Sequence, residues 1–195
     1  SYLTFDGPFR REYWHRTVAH NTVLIVDPSI PGDEGGQRVF SSQNDSSLAM
    51  YQADHQAETG DILDYLDEPG LAYVAGDMTA AYPPGRVERV TRELAFLDDR
   101  WLVVLDRVRT RRDELEPRVL WHCPVMPHLD PSANSYSVER EGARVVVSTL
   151  LPREAKINWV EGFVSGGRQV EPVGTLKGLA DMGVGRLEVT ASAVD

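Results

Sequence analysis

Two histidines, an arginine, an asparagine and two large aromatic rings fall within the nine residues from Tyr13 to Asn21, and an apolar run, 22–26, follows at once. Imidazole titrates near neutrality and binds zinc when neutral, so His15 and His20 could serve as acid and base or as metal ligands. The planar guanidinium of Arg16 could give a carboxylate or sulfate two parallel hydrogen bonds. Arg10 and Arg11 extend this into a local basic cluster on an acidic chain. Tyr13 and Trp14 could stack on a sugar ring. On a straight strand, histidines five residues apart face opposite sides of the sheet, so these two converge only if the segment before Thr22 bends. The plainer alternative makes each histidine a polar residue at a strand entrance and the arginines a salt-bridged arm. Neither HxH nor HExxH spacing occurs, so no complete metal site of recognisable spacing is present.

The remaining candidates are weaker. His122, in Leu120-Trp121-His122-Cys123-Pro124, alternates with Trp121, so the two side chains leave opposite faces of a strand. A hydrogen-bonded strand residue is the simpler account of it. Cys123 beside it makes a poor catalytic dyad, because strand neighbours point apart. His55 and His128 fall in loops without a visible partner. The chain has no GxSxG elbow, and its glycine-rich stretch, 162–185, contains neither a phosphate loop nor a dinucleotide fingerprint. Trp101 and Trp159 lie in strand patterns and read as core residues rather than sugar platforms.

The elements that must position these groups are strands. Glycines and prolines interrupt the 195 residues at short intervals, with alternating or clustered apolar runs between them. Strands are expected at 22–26, 71–82 with a kink at Gly76, 87–97, 101–108, 118–123, 136–140, 143–150, 156–160 and 186–191. The stretch 39–51 reads as loop or weak edge strand, and 62–66 as a short helix or a strand. Asp98-Asp99-Arg100 and Glu141-Gly142 mark hairpins, since Asp and Gly tolerate turn conformations. About ten strands without a long amphipathic helix predict an all-β fold, a two-sheet antiparallel sandwich with long loops, spanning 1–195 as a single domain.

Composition narrows the function classes. The net charge of −10 argues against nucleic-acid binding through a broad basic face, though a local basic pocket could still take an anion. The single cysteine forbids an intrachain disulfide. No apolar run approaches a membrane span. The opening at Ser1 suggests a piece of a longer protein.

The stretch 13–27 resembles the opening of the C-terminal β domain of heparinase II/III-like polysaccharide lyases. The matching residues are Tyr13-Trp14, Arg16-Thr17, Ala19-His20-Asn21-Thr22 and the run to Asp27. Further matches follow in order: Gly76-Asp77-Met78-Thr79-Ala80-Ala81-Tyr82, the block 89–106, and Leu120-Trp121-His122. The resemblance implies a bacterial polysaccharide lyase that cleaves a uronic-acid-containing polymer, such as heparan sulfate or alginate, by β-elimination. This chain would close the substrate cleft against an N-terminal α/α toroid and would not be catalytic alone. It also implies that His20 is one ligand to a zinc shared with the missing N-terminal part, with no metal expected in the isolated chain. His15, Arg16 and Asn21 are expected to face substrate, by adjacency to His20. The expected partners are an anionic polysaccharide and the toroid of the same protein, with a homodimer as a further option and neither nucleic acid nor membrane. The expected location is periplasmic or secreted. A non-catalytic carbohydrate-binding β-sandwich is the alternative.

Overall fold

The computed structural model describes residues 9–37, 59–172 and 183–191. Its strands, in chain order, are β1 (Val23–Val26), β2 (Asp61–Glu68), β3 (Leu71–Asp77), β4 (Val87–Leu97), β5 (Trp101–Thr110), β6 (Glu116–Cys123), β7 (His128–Asp130), β8 (Ser135–Arg140), β9 (Ala143–Ser148), β10 (Ala155–Glu161), β11 (Val164–Ser165), β12 (Arg168–Gln169) and β13 (Gly185–Ala191). Every pairing is antiparallel. The fold is all-β, as the strand patterning predicts. The stretch 39–51 and His55 lie outside the described residues.

Where a single domain is expected, the chain gathers into two compact units. Its two ends, 1–36 and 116–195, form one, and the middle, 37–115, forms the other. A unit assembled from both ends of a chain leaves no linker in the sequence for composition to reveal.

In the unit formed by the ends, one sheet runs β1-β6-β13-β10 and another β7-β8-β9. Register fixes which residues share a face. Leu187 stands opposite both Trp121 and Trp159, and these three point with Cys123 and Ile157 at the second sheet, where they meet Tyr136, Leu129, Val138 and Val147. This is the sandwich core. Trp159 lies in it, as its strand pattern predicts. Gly185 sits where a Cβ would come within 2.5 Å of the Trp159 ring and of the Val160 carbonyl oxygen, so strand β13 can approach β10 only with glycine there.

The other face of the four-stranded sheet is covered by the chain's N-terminal segment. Phe9, Tyr13 and Val18 pack on Leu24, Val26 and Leu120, with Val170 completing the cluster and Trp14, Ala19 and Phe163 at its margin. The segment is not extended. A π-helical turn, Arg10–Trp14, and a 3-10 turn, Thr17–Ala19, fold it back on itself. Rings stack within it, with Phe9 and Tyr13 centroids 5.7 Å apart and Phe163 edge-on to both. The segment is thus bent before Thr22, the condition for His15 and His20 to converge, but only His20 of the two reaches the cavity described below. The stretch 162–185 is not wholly loop, since β11 and β12 form a small hairpin across Gly166-Gly167.

The middle unit is a meander, β2-β3-β4-β5. Asp98 and Asp99, in the three-residue connection 98–100 from β4 to β5, have φ of 49° and 51°, left-handed values that Asp tolerates. The ambiguous stretch 62–66 is strand, paired along β3 with a register shift between Ile62 and Asp64. The strand around Gly76 ends at Asp77, and Thr79–Ala81 continues as a 3-10 turn. Arg92 grips Asp106 through two bonds of 2.7 and 2.9 Å. Glu93 pairs with Arg107 and accepts from the Tyr73 hydroxyl at 3.0 Å. Near the Asp98-Asp99 turn both faces carry exposed apolar side chains, among them Phe96 and Leu102 on one face and Val103 and Trp101 on the other. Trp101 is thus on the surface, contrary to its core-like strand pattern.

Candidate functional site

A cavity of about 500 Å³ opens where strands β6, β13 and β10 meet the folded N-terminal segment. Tyr13, Trp14, Ala19 and His20 line it from that segment, and His122, Cys123 and Pro124 line it from the end of β6. Gly162, Phe163, Val184 and Gly185 close the remaining wall. Of the residues singled out in the opening stretch, the structure brings Tyr13, Trp14 and His20 to this cavity. It adds His122, which the sequence ranked low.

His122 is the tie between the two halves of the cavity wall. The carboxamide oxygen of Asn21 accepts from the His122 backbone N–H at 2.8 Å and lies 3.0 Å from Nδ1. Nε2 of the same ring lies 3.0 Å from the Val18 carbonyl oxygen. The backbone donor fixes the Asn21 amide with its oxygen toward the ring, so both ring nitrogens face acceptors. Only the imidazolium could donate to both. Burial opposes that charge most, the nearby Arg186 guanidinium opposes it further, and His20 adds to this. Together they outweigh the Val18 carbonyl and lower the pKa of His122 to about 4. At neutral pH the ring is therefore uncharged and donates through one nitrogen. The main chain adds a further link, from Leu120 N–H to the Thr22 carbonyl at 2.8 Å.

His20 is exposed, with Nε2 3.0 Å from the Trp14 carbonyl oxygen. It thereby pins the turn that carries the Trp14 ring, while Nδ1 sits on the other side of the imidazole. Among the described residues no three histidine, cysteine or acidic side chains are arranged to hold a metal ion. The residues around His20 therefore do not themselves make a zinc site.

Beneath the cavity lies a charged ladder. Arg186, 4% exposed, directs Nε and Nη2 to one Glu188 oxygen at 3.0 and 2.7 Å and Nη1 to the Val164 carbonyl at 2.7 Å. Arg118 takes the other Glu188 oxygen at 3.2 Å and Glu116 at 2.9 Å. Burial raises the Tyr13 phenol pKa, with Arg186 acting in the opposite direction. Burial also pushes the Cys123 thiol up, which removes it as a thiolate nucleophile at neutral pH.

The other expected site residues take different positions. Arg16 pairs with Glu34 at 3.4 Å, and His15 is exposed. Neither lines the cavity. Asn21 reaches it only through His122. The side chains of Arg10 and Arg11 lie outside the described residues. His122 was hard to find because its partners, Val18 and Asn21, are more than a hundred residues away in the chain. The one available signal was the Leu120-Trp121-His122 block among the family matches.

No family model matches the chain, and no curated protein does. Among solved structures it is similar to a mutant of heparan sulfate lyase HepC from Pedobacter heparinus, with a TM-score of 0.51 and 14% identity. The match covers 82% of this chain and 25% of that one. At this identity the likeness is one of fold. The chain has a polysaccharide-lyase-like β fold and spans about a quarter of the length of the lyase it matches.

Proposed function

We propose that this chain is the C-terminal β domain of a bacterial lyase that cleaves a uronic-acid-containing polysaccharide by β-elimination, and that its cavity holds part of the glycan. The observation that carries the reading is the convergence of Trp14, His20 and His122, from both ends of the chain, on one aromatic-lined cavity. An aromatic wall with a few placed polar groups is what a sugar ring requires. Fold likeness to a heparan sulfate lyase adds support.

The chain's role is to close the substrate cleft. Proton abstraction beside the uronate carboxylate needs a base, an acid for the departing oxygen and a group that neutralises the carboxylate. The N-terminal toroid of the same protein supplies most of that set. Ile62, Tyr65 and Leu102 lie open on the middle unit, which supports a chain that works against a larger partner surface. His20 is the residue we assign as one ligand to a shared zinc, with the remaining ligands from the N-terminal part. When bound there, zinc would serve as a structural cross-link. The location we propose is periplasmic or secreted.

The test uses the protein carrying both parts. Uronate polysaccharide should yield the unsaturated product, followed by its ultraviolet absorbance, while the 195-residue chain alone should yield none. Product from this chain alone would overturn the division of labour, and inactivity of the whole protein on every uronate polymer would overturn the reaction. Replacing His20 by Ala in the whole protein should release zinc, and unchanged metal content would refute the ligand assignment.

A further inference from the structure

The cavity is apolar where a uronate site should be cationic, and this difference bears on which sugar it takes. Trp14, Tyr13 and Phe163 supply rings, and Pro124 and Val184 supply aliphatic surface. Among the described residues, no lysine or arginine lines it. Arg186 is buried and gives its three nitrogens to Glu188 and the Val164 carbonyl. Arg16, a cation of the N-terminal segment, is turned to Glu34. In the isolated chain, a carboxylate placed here would lose its hydration without gaining a charged partner among the described residues, which is costly. A neutral sugar ring loses little and gains apolar contact with the indole.

Resting on the glycan reading above, we infer that this cavity is a subsite for a neutral sugar unit, a hexose or N-acetylhexosamine, and that it excludes the uronate unit of the same polymer. Trp14 provides the stacking face, held in place by His20 through the Trp14 carbonyl. His122 keeps the wall closed, with its two ring nitrogens turned to Asn21 and Val18. An alternating polymer of uronate and neutral sugar would then be placed in register, with its acid group directed away from this cavity.

The experiment is an NMR titration of the 195-residue chain at pH 8, where an ordinary imidazole is uncharged. The probes are methyl β-glucoside, methyl β-N-acetylglucosaminide and methyl β-glucuronide. The first and last differ only in the group at C6, a hydroxymethyl against a carboxylate. The expected result is that at least one neutral glycoside shifts the Trp14 indole resonance and binds roughly tenfold or more tighter than the glucuronide. Its affinity should be nearly indifferent to salt and should fall about tenfold in Trp14→Phe or Trp14→Ala. Trp14→Phe keeps an aromatic ring should the alanine variant fail to fold. Equal or tighter glucuronide binding, weakening with salt, would overturn the neutral-sugar assignment and leave the glycan reading intact. No shift at Trp14 with any of the three would overturn both.

Discussion

The two four-stranded sheets of this molecule differ in what covers them. In β1-β6-β13-β10, one face meets a second sheet through Leu187 and Cys123, and the other meets the folded N-terminal segment through Leu24 and Leu120. In β2-β3-β4-β5, Ile62 and Tyr65 are each 75% exposed and Leu102 61%. Antiparallel sheets with one wet face show alternation of apolar and polar residues, and near its hairpin end this one is apolar on both. The first sheet is a finished scaffold that can hold a cavity at its end. The second presents surface for something else to cover.

Mutations should separate the two regions sharply. Leu187 is fully buried between layers, so Leu187→Ala should destabilise the fold by about 2–5 kcal/mol. Urea unfolding of the isolated chain measures this, and a change below about 1 kcal/mol would mean that the sandwich core is not where the structure puts it. Asn21→Ala comes next. It removes the exposed Asn21 oxygen that the His122 backbone N–H and Nδ1 face, at a cost of about 0.5–1.5 kcal/mol. A smaller effect is expected from Leu102→Ser on the open sheet, within about 0.5 kcal/mol in the isolated chain. A large loss there would show that the open sheet is covered after all. Smallest is Arg109→Ala, which removes an exposed pair with Glu88 and should be nearly silent.

Acid should also act on the covered unit. His122 has its folded pKa lowered to about 4, so the unfolded chain binds its proton more readily than the folded one. The stability this gives is complete above the ordinary value near 6.5 and is lost as the pH falls from there toward 4. Partial solvent access limits the loss to the order of 1–3 kcal/mol. Unfolding midpoints at pH 7 and pH 5 should diverge in the wild type and converge in His122→Gln. Equal divergence in both would assign the effect to other groups.

How much of this was legible in the sequence follows the range of the interactions. The hairpins at Asp98-Asp99 and Glu141-Gly142 rest on local turn chemistry, and the sequence shows both. The strand β2 was ambiguous because its acidic residues break the apolar pattern, and pairing with β3 decides it. The π and 3-10 turns of the N-terminal segment are held by tertiary packing around Phe9 and Phe163, which no local pattern announces. The same holds for the cavity. Trp14 and His20 were visible as a concentration of chemistry, but sequence adjacency also nominated His15 and Arg16, which do not line the cavity. Asn21 proves a support for His122 rather than a cavity-lining group.

The central claim is that the Trp14 cavity holds glycan, and affinity electrophoresis tests it most directly. In native gels cast with heparan sulfate or with alginate, the wild-type chain should be retarded by at least one polymer, and Trp14→Ala should run as it does in a gel without polysaccharide. Identical mobility of the two proteins in every gel would contradict the account.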